Sequence, residues 1–320
     1  MPVPRLGARV FCVSMIFLGT GAAYSQSYPN KPIRMLTGGV GGGNDVASRL
    51  IAPGLAENLG QQVIVDNRSN SVVPGQIVSQ ASPDGYTLLL YNNGLWTLPL
   101  MQSAPYDPVH GFSPISLVAS APNILVVHPS LAVKSVKELI ALAKAKPGVL
   151  NYASSGAGAS NHIAAELFKS MAGVDIVRIN YKSGGAIYTD LFAGQVQIYF
   201  ATAGSGSGHV KSGKLRALAV TSAKPSALLP GLPTLSASGL SGYDLASIQG
   251  LFAPARTTAT VINRLNQELR RVLNRTDVKD RFFNNGVEVV GSSPQQLANS
   301  IKSEMDKLGK LIKDAGIQAD

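Results

Sequence analysis

Short apolar runs alternate with amphipathic ones along this chain. Residues 33–36, 63–66 and 86–91 are strand-like, and Val46, Ala47, Leu50, Leu55 and Leu59 fall at helical spacing between the first two. A short helix is expected at 76–80. A second series starts near Leu150, with strands expected at 150–153, 176–179, 196–200 and 215–221 and a helix carrying Ile163, Leu167, Phe168 and Met171. Residues 115–128 and 243–254 are richer in β-branched and aliphatic side chains and read as two extended crossings. Two amphipathic helices close the chain, one with Val261, Leu265, Leu269 and Val272, the other with Leu297, Ile301, Leu308 and Ile312 on one face. Ser135 with Glu138, and Ser293 with Gln296, form capping boxes at two helix starts.

Strands alternating with helices predict an α/β fold, a mostly parallel sheet covered by helices. Two series joined by two crossings predict two lobes. The first is built from 26–123 and 246–320, the second from 124–245. The length of 320 residues and 45% hydrophobic content suffice for two cores and exclude a disordered chain.

Residues 1–25 read as a secretory leader. Arg5 and Arg9 precede a short apolar stretch at 10–18, and small residues follow at 21–25, with cleavage expected near Ser25 or Gln26. The stretch is too short to span a bilayer. Cys12, the single cysteine, lies inside it, so the mature chain carries no disulfide, thiol nucleophile or cysteine metal site. The formal net charge is +10. Arg264, Arg270, Arg271 and Arg275 alternate with Glu268 and Asp277, which reads as a solvated helix face and not as a nucleic-acid patch.

The polar loops fall at strand ends, where ligands sit in such folds. The first is Thr37-Gly38-Gly39-Val40-Gly41-Gly42-Gly43-Asn44-Asp45, and Asn44 or Asp45 can cap the helix after it. It fits a phosphate motif poorly. A P-loop requires Gly-Lys-Ser/Thr where Asn44-Asp45 stands, and the dinucleotide fingerprint ends on Asn44 instead of glycine. Gly204-Ser205-Gly206-Ser207-Gly208 puts glycine at the centre of a would-be nucleophile elbow. His110, His128, His162 and His209 have no metal-ligand spacing, and no paired carboxylates stand out. Loops at 37–45, 154–162, 180–185 and 201–208, rich in Gly, Ser, Asn and Thr, together favour a binding cleft without cofactor or metal.

A series of motifs resembles the Bug family, the periplasmic solute-binding proteins of tripartite tricarboxylate transporters. They run in order from Tyr28-Pro29-Asn30-Lys31-Pro32-Ile33-Arg34 through Gly41-Gly42-Gly43-Asn44-Asp45, Pro83-Asp84-Gly85-Tyr86-Thr87-Leu88 and Tyr152-Ala153-Ser154-Ser155-Gly156. They continue with Tyr181-Lys182, the segment from Gly213 to Thr221, and Phe252-Ala253-Pro254-Ala255. The resemblance implies a type II periplasmic binding protein fold, a two-lobed clamp acting as a monomer that closes on a small carboxylate and hands it to membrane permease subunits, with no catalysis. It implies that Gly41, Gly42, Gly43, Asn44 and Asp45 form one jaw and Ser155, Gly156, Gly158, Ser160 and Asn161 the other. Thr37, Asn92, Asn93, Tyr181, Ala201 and Thr202 complete the candidate ligand contacts, and Trp96 reads equally as pocket wall or core.

Two departures from the family pattern bear on specificity. Thr37-Gly38-Gly39-Val40 replaces a bulkier first loop. Ala201 follows Phe200 where many members carry Asp, which points to a less polar or aromatic carboxylate and away from an amino acid. Two other functions compete: a secreted hydrolase using Ser155 or Ser160 with His162, and a sensor subunit signalling to a membrane kinase.

Overall fold

The computed structural model describes Met1, residues 28–68, 72–154, 159–181, 184–314 and Ile317. The leader beyond Met1 and the candidate residues Ser155, Gly156 and Gly158 lie outside the described residues.

The first series runs β1 (Ile33–Thr37), α1 (Gly43–Leu59), β2 (Val63–Asn67), α2 (Val73–Ser79), β3 (Thr87–Asn92) and α3 (Gly94–Thr97). The crossing strand β4 (Phe112–Val127) leads through α4 (Val136–Ala145) into the second series. That series contains β5 (Asn151–Ser154), α5 (Ser160–Ala172), β6 (Val177–Asn180), α6 (Gly184–Phe192), β7 (Ile198–Thr202), α7 (Ala203–Lys211) and β8 (Arg216–Val220). The return strand β9 (Ala246–Pro254) is followed by α8 (Ala259–Asn274), α9 (Thr276–Asn284), β10 (Glu288–Val289) and α10 (Pro294–Asp314).

Within each series the strands pair in parallel: β1 with β2 and β3, and β5 with β6 and β7. The crossing strands pair antiparallel, β3 with β9, β9 with β4, and β4 with β7 and β8. The resulting order is β2-β1-β3-β9-β4-β7-β5-β6. Strand β4 changes partners along its length. It pairs with β9 as far as Pro122, and with β7 from Asn123 onward. One strand thus belongs to two sheets, so a bend between them need break no ladder.

Each sheet is apolar on both faces. Ile33, Met35, Leu88 and Leu90 face one cluster with α1 and α8, while Leu36, Leu89 and Tyr91 face another with Trp96, Phe252 and Leu297. The period-2 alternation of strand side chains sends neighbours to opposite sides. Trp96 is fully buried and packs edge-on to Phe252, so it belongs to the core. The second series has its own two clusters, around Phe168 with Phe200 and around Ile124 with Tyr199.

Helix α10 joins both halves. Leu297 and Ile301 pack with Trp96, whereas Leu308, Leu311 and Ile312 pack with Leu125 and Phe168 of the other half. The sequence reading placed all of 246–320 in the first lobe, but one apolar face of a 21-residue helix is long enough to serve two cores.

Several expected loops are helical. The glycine-serine stretch after β7 forms α7, capped by Thr202, whose side chain accepts from the Ser205 N–H. The expected loop at 180–185 already contains the start of α6. Three helices, not two, close the chain, because Arg275 adopts an extended conformation that splits α8 from α9.

Candidate functional site

Gly42 is the N-cap of helix α1 and makes no side-chain cap bond. Neither Asn44 nor Asp45 caps it. The Gly42 N–H donates to Gly39 O at 3.2 Å, folding the loop back over the helix start. Gly41 sits at φ +77, a conformation that favours glycine. The first turn of α1 thus has no side-chain cap, and helix starts of this kind favour anions. Helix α5 starts in the same way: Ala159 is its N-cap and provides no side-chain bond.

Asp45 holds the glycine loop in shape. Its Oδ2 accepts the Gly41 N–H at 2.8 Å, and its Oδ1 accepts from Arg49 Nε and Asn67 Nδ2, both at 2.8 Å. Asn67 Nδ2 also reaches Gly38 O at 2.8 Å. Burial works against the charge of Asp45, yet the Gly41 N–H, the Asn67 amide and the Arg49 guanidinium outweigh it and hold the carboxyl below its ordinary range. Asp45 is thus a brace of the loop. Thr37 is also internal, fully buried with its hydroxyl donating to Leu90 O at 3.2 Å.

Two cavities lie along one face of β9. The first, of about 170 Å³, is walled by Asn92, Asn93 and Thr97 on one side and by Ala159, Ser160 and Ile163 on the other. The second, of about 140 Å³, lies against Gly41, Gly43, Val46 and Leu50, with Gln249 and Asn285 at its edge. Ser247 lines the first and Gln249 the second. These residues are two apart on a strand and so share a face. Gln249 is the register partner of Asn92 and donates to Asn44 Oδ1 at 3.5 Å.

Among the sequence candidates, the structure thus brings Asn92, Asn93 and Ser160 around one cavity, and Gly41 and Gly43 around the neighbouring one. Asn44 joins them through Gln249. Gly42 lies between, as the helix N-cap. Asn161 is buried, its amide donating to the Tyr199 hydroxyl at 3.3 Å. Tyr181 donates to Asp190 Oδ2 at 2.8 Å, and burial followed by that carboxylate pushes the phenol up to about 12. Ala201 turns into the core beside Ile124 and Val126. The Thr202 hydroxyl lies 2.8 Å from the Ser205 hydroxyl and accepts the Ser205 N–H at 3.4 Å, capping α7.

Sequence reasoning missed two residues. Asn123 on β4 is fully buried, with Nδ2 donating to Ser160 O at 3.4 Å and Oδ1 lacking a partner. Gln249 Oε1 is likewise buried and unpartnered. Buried polar atoms without partners are costly and rare. The signal was present in each case: a lone amide inside an otherwise apolar crossing.

His162 lies buried on α5. Among the described residues no group of three or more His, Cys, Asp or Glu could hold a metal, and no helix is long and apolar enough to cross a membrane. The arginine cluster is largely spent on acids. Glu268 is buried and gripped by Arg264 at 2.8 Å and Arg271 at 3.0 Å, and Arg275 reaches Glu57 at 2.9 Å.

Residues 47–317 match the family described as the tripartite tricarboxylate transporter family receptor. A protein encoded in the tcbD-tcbE intergenic region of Pseudomonas sp. (strain P51) is 32% identical over 313 residues, 96% of this chain and 93% of that one. The solved structure of R. palustris Rpa4515 with adipate is 32% identical, covers 91% of this chain and 99% of its own, and superposes with a TM-score of 0.74. The periplasmic binding protein BugD is 29% identical over 92% of this chain and 100% of its own, with a TM-score of 0.71. The family is one of receptors and not of enzymes, and its solved periplasmic binding proteins share the two-lobed fold expected from the sequence. The chain belongs to the tripartite tricarboxylate transporter receptor family.

Proposed function

We propose that this chain is an extracytoplasmic solute-binding protein that captures a small carboxylate in the interlobe groove and delivers it to a tripartite tricarboxylate-type membrane permease. One observation carries the reading: the cavity beside Asn92 and Asn93 is completed by Ala159 and Ser160 from the opposite series. A ligand there touches both halves and favours their closed arrangement. The uncapped starts of α1 and α5 supply N–H groups and positive helix ends for a carboxylate without a full countercharge. Adipate in the R. palustris relative is a ligand of this class. Export through a cleaved leader at 1–25 and action as a monomer belong to the same proposal. So do lobes at 26–123 with 246–320 and at 124–245, with the end of α10 bridging them.

Thermal-shift screening of the mature protein against a carboxylate library tests the binding. A ligand held only by the folded state adds ~2.7 kcal/mol at a hundredfold excess over its dissociation constant. A clear rise in melting temperature with at least one carboxylate is expected, and no response across mono-, di- and tricarboxylates refutes the reading. Uptake of the identified ligand, lost when the gene is deleted, tests delivery against a sensing role.

A further inference from the structure

Glu304 lies outside the groove and touches its wall. It sits on α10 between the stretch that packs with Trp96 and the stretch that packs with Phe168. Its Oε1 accepts from Asn93 Nδ2 at 2.8 Å and its Oε2 from Trp96 Nε1 at 3.0 Å. Asn93 Nδ2 also donates to Ala246 O at 3.4 Å. The Asn93 amide nitrogen therefore serves two protein acceptors, the Glu304 carboxylate above all. Asn93 Oδ1 is the polar atom left for the 170 Å³ cavity that this residue lines.

Asn92 is fixed in the opposite sense. Its Oδ1 accepts the Gly94 N–H at 3.1 Å, which leaves its Nδ2 to donate. Two adjacent amides at one cavity thus offer one donor and one acceptor. A ligand carboxylate suits the donor and is repelled by the acceptor. A neighbouring ligand hydroxyl suits the acceptor, whereas a neutral amide compensates a desolvated ammonium poorly.

Building on the carboxylate-binding reading, we propose that Glu304 is a specificity-positioning residue: it locks the Asn93 amide oxygen toward the interlobe cavity, so that the site selects carboxylates bearing an adjacent hydroxyl. The acceptor that Ala201 fails to provide then comes from the other lobe. This replaces the expectation of a less polar ligand drawn from Ala201 alone.

The lock depends on the charge of Glu304. Burial pushes its carboxyl up, the Asn93 and Trp96 donors pull it down, Asp244 raises it and Lys307 lowers it. Lys224 completes the charged groups of the hinge-side cavity that Glu304 also lines. Once protonated, the carboxyl can donate as well as accept, and the sense of the Asn93 amide is no longer imposed.

Malate and succinate, which differ by one hydroxyl, are the probes, measured by calorimetry on the mature protein and on Glu304→Gln and Glu304→Ala. The wild type is expected to favour malate about tenfold, or ~1.4 kcal/mol. In both variants the ratio is expected to fall below about threefold, with succinate affinity held within about threefold. A simple loss of structure weakens both ligands alike, and that outcome overturns the proposal, as does a ratio unchanged in both variants. Trp96 is the only tryptophan of the chain, so its emission reads the lock without ligand. Emission that shifts on acidification in the wild type and stays flat in Glu304→Gln supports the lock, and identical profiles overturn it. A wild type that binds neither diacid overturns the ligand half and points back to the carboxylate reading itself, while the Trp96 titration still decides the role of Glu304.

Discussion

Replacing Asp45 with Ala removes the brace of the glycine loop without touching the groove lining. The carboxylate is 4% exposed and accepts three bonds, from Gly41, Arg49 and Asn67. A hydrogen bond to a buried charge contributes about 1.5–3 kcal/mol. The Arg49 side chain is 55% exposed, so that pair adds less than ~1 kcal/mol. Asn67 keeps its bond to Gly38 O, and the Gly41 N–H can turn to water, which offsets part of the loss. The net cost is about 2–4 kcal/mol, a large share of a typical stability of about 5–15 kcal/mol. Urea unfolding at pH 7 reads it as a lower midpoint at unchanged slope. The pH dependence fixes the cause. The folded-state pKa of Asp45 is depressed, so its stabilisation is present above the unfolded-state value and disappears as pH falls through the folded-state value. The gap between wild type and variant must narrow in acid. A loss under ~1 kcal/mol at pH 7, or a gap that persists in acid, refutes the reasoning.

Other perturbations test how the halves meet. Gly286 sits at φ +71, and a methyl group there would lie 2.3 Å from Gly204 Cα in the opposite half. Gly286→Ala is expected to hold the lobes apart, raising the radius of gyration in solution scattering and weakening ligand severalfold; unchanged values of both argue against an interlobe contact at this point. Gly54 lets α1 approach α8, since a Cβ there would meet both Val272 methyl groups at 2.9 Å. Gly54→Ala should therefore cost about 1–3 kcal/mol in denaturant unfolding, and adding Val272→Ala should not restore the full loss, because it opens a cavity elsewhere in the same cluster.

Much of the fold was legible because its central strands are buried on both faces and its longer helices on one. Continuous apolar runs such as Leu88, Leu89 and Leu90 and stripes such as Leu265, Leu269 and Val272 need no tertiary context to be recognised. The Ser293 capping box shows its reciprocal bonds, Ser293 N–H to Gln296 at 2.8 Å and Gln296 N–H to Ser293 at 3.2 Å. Helix α7 was not legible, since Gly204, Gly206 and Gly208 all disfavour a helix locally. Tertiary contact reverses that preference. A Cβ at Gly206 would lie 2.9 Å from Ala201 Cβ, and one at Gly204 would lie 3.1 Å from Asn285 O. These glycines let the helix press against its own sheet and the other half.

The site was legible in outline only. Loop composition pointed to the starts of α1 and α5, neither of which has a side-chain cap. It could not tell a ligand contact from a brace. Asp45, Thr37 and Thr202 carry the residue types of a binding loop, yet each spends its side chain on local backbone or a neighbour. Asn123 and Gln249 were hidden for the opposite reason: they lie inside the crossing strands, where Asn123 faces Thr202 of β7 and Gln249 faces Asn92 of β3.

Calorimetric titration of the mature protein and of Ser160→Trp with the best carboxylate from the screen tests the central claim most directly. Ser160 stands in the first turn of α5 and lines the 170 Å³ cavity opposite Asn93, so an indole at that position fills the space between the halves. The account predicts saturable one-to-one binding by the wild type and its loss in the variant, with the unfolding midpoint in the absence of ligand preserved. Undiminished binding by a folded Ser160→Trp protein would contradict it.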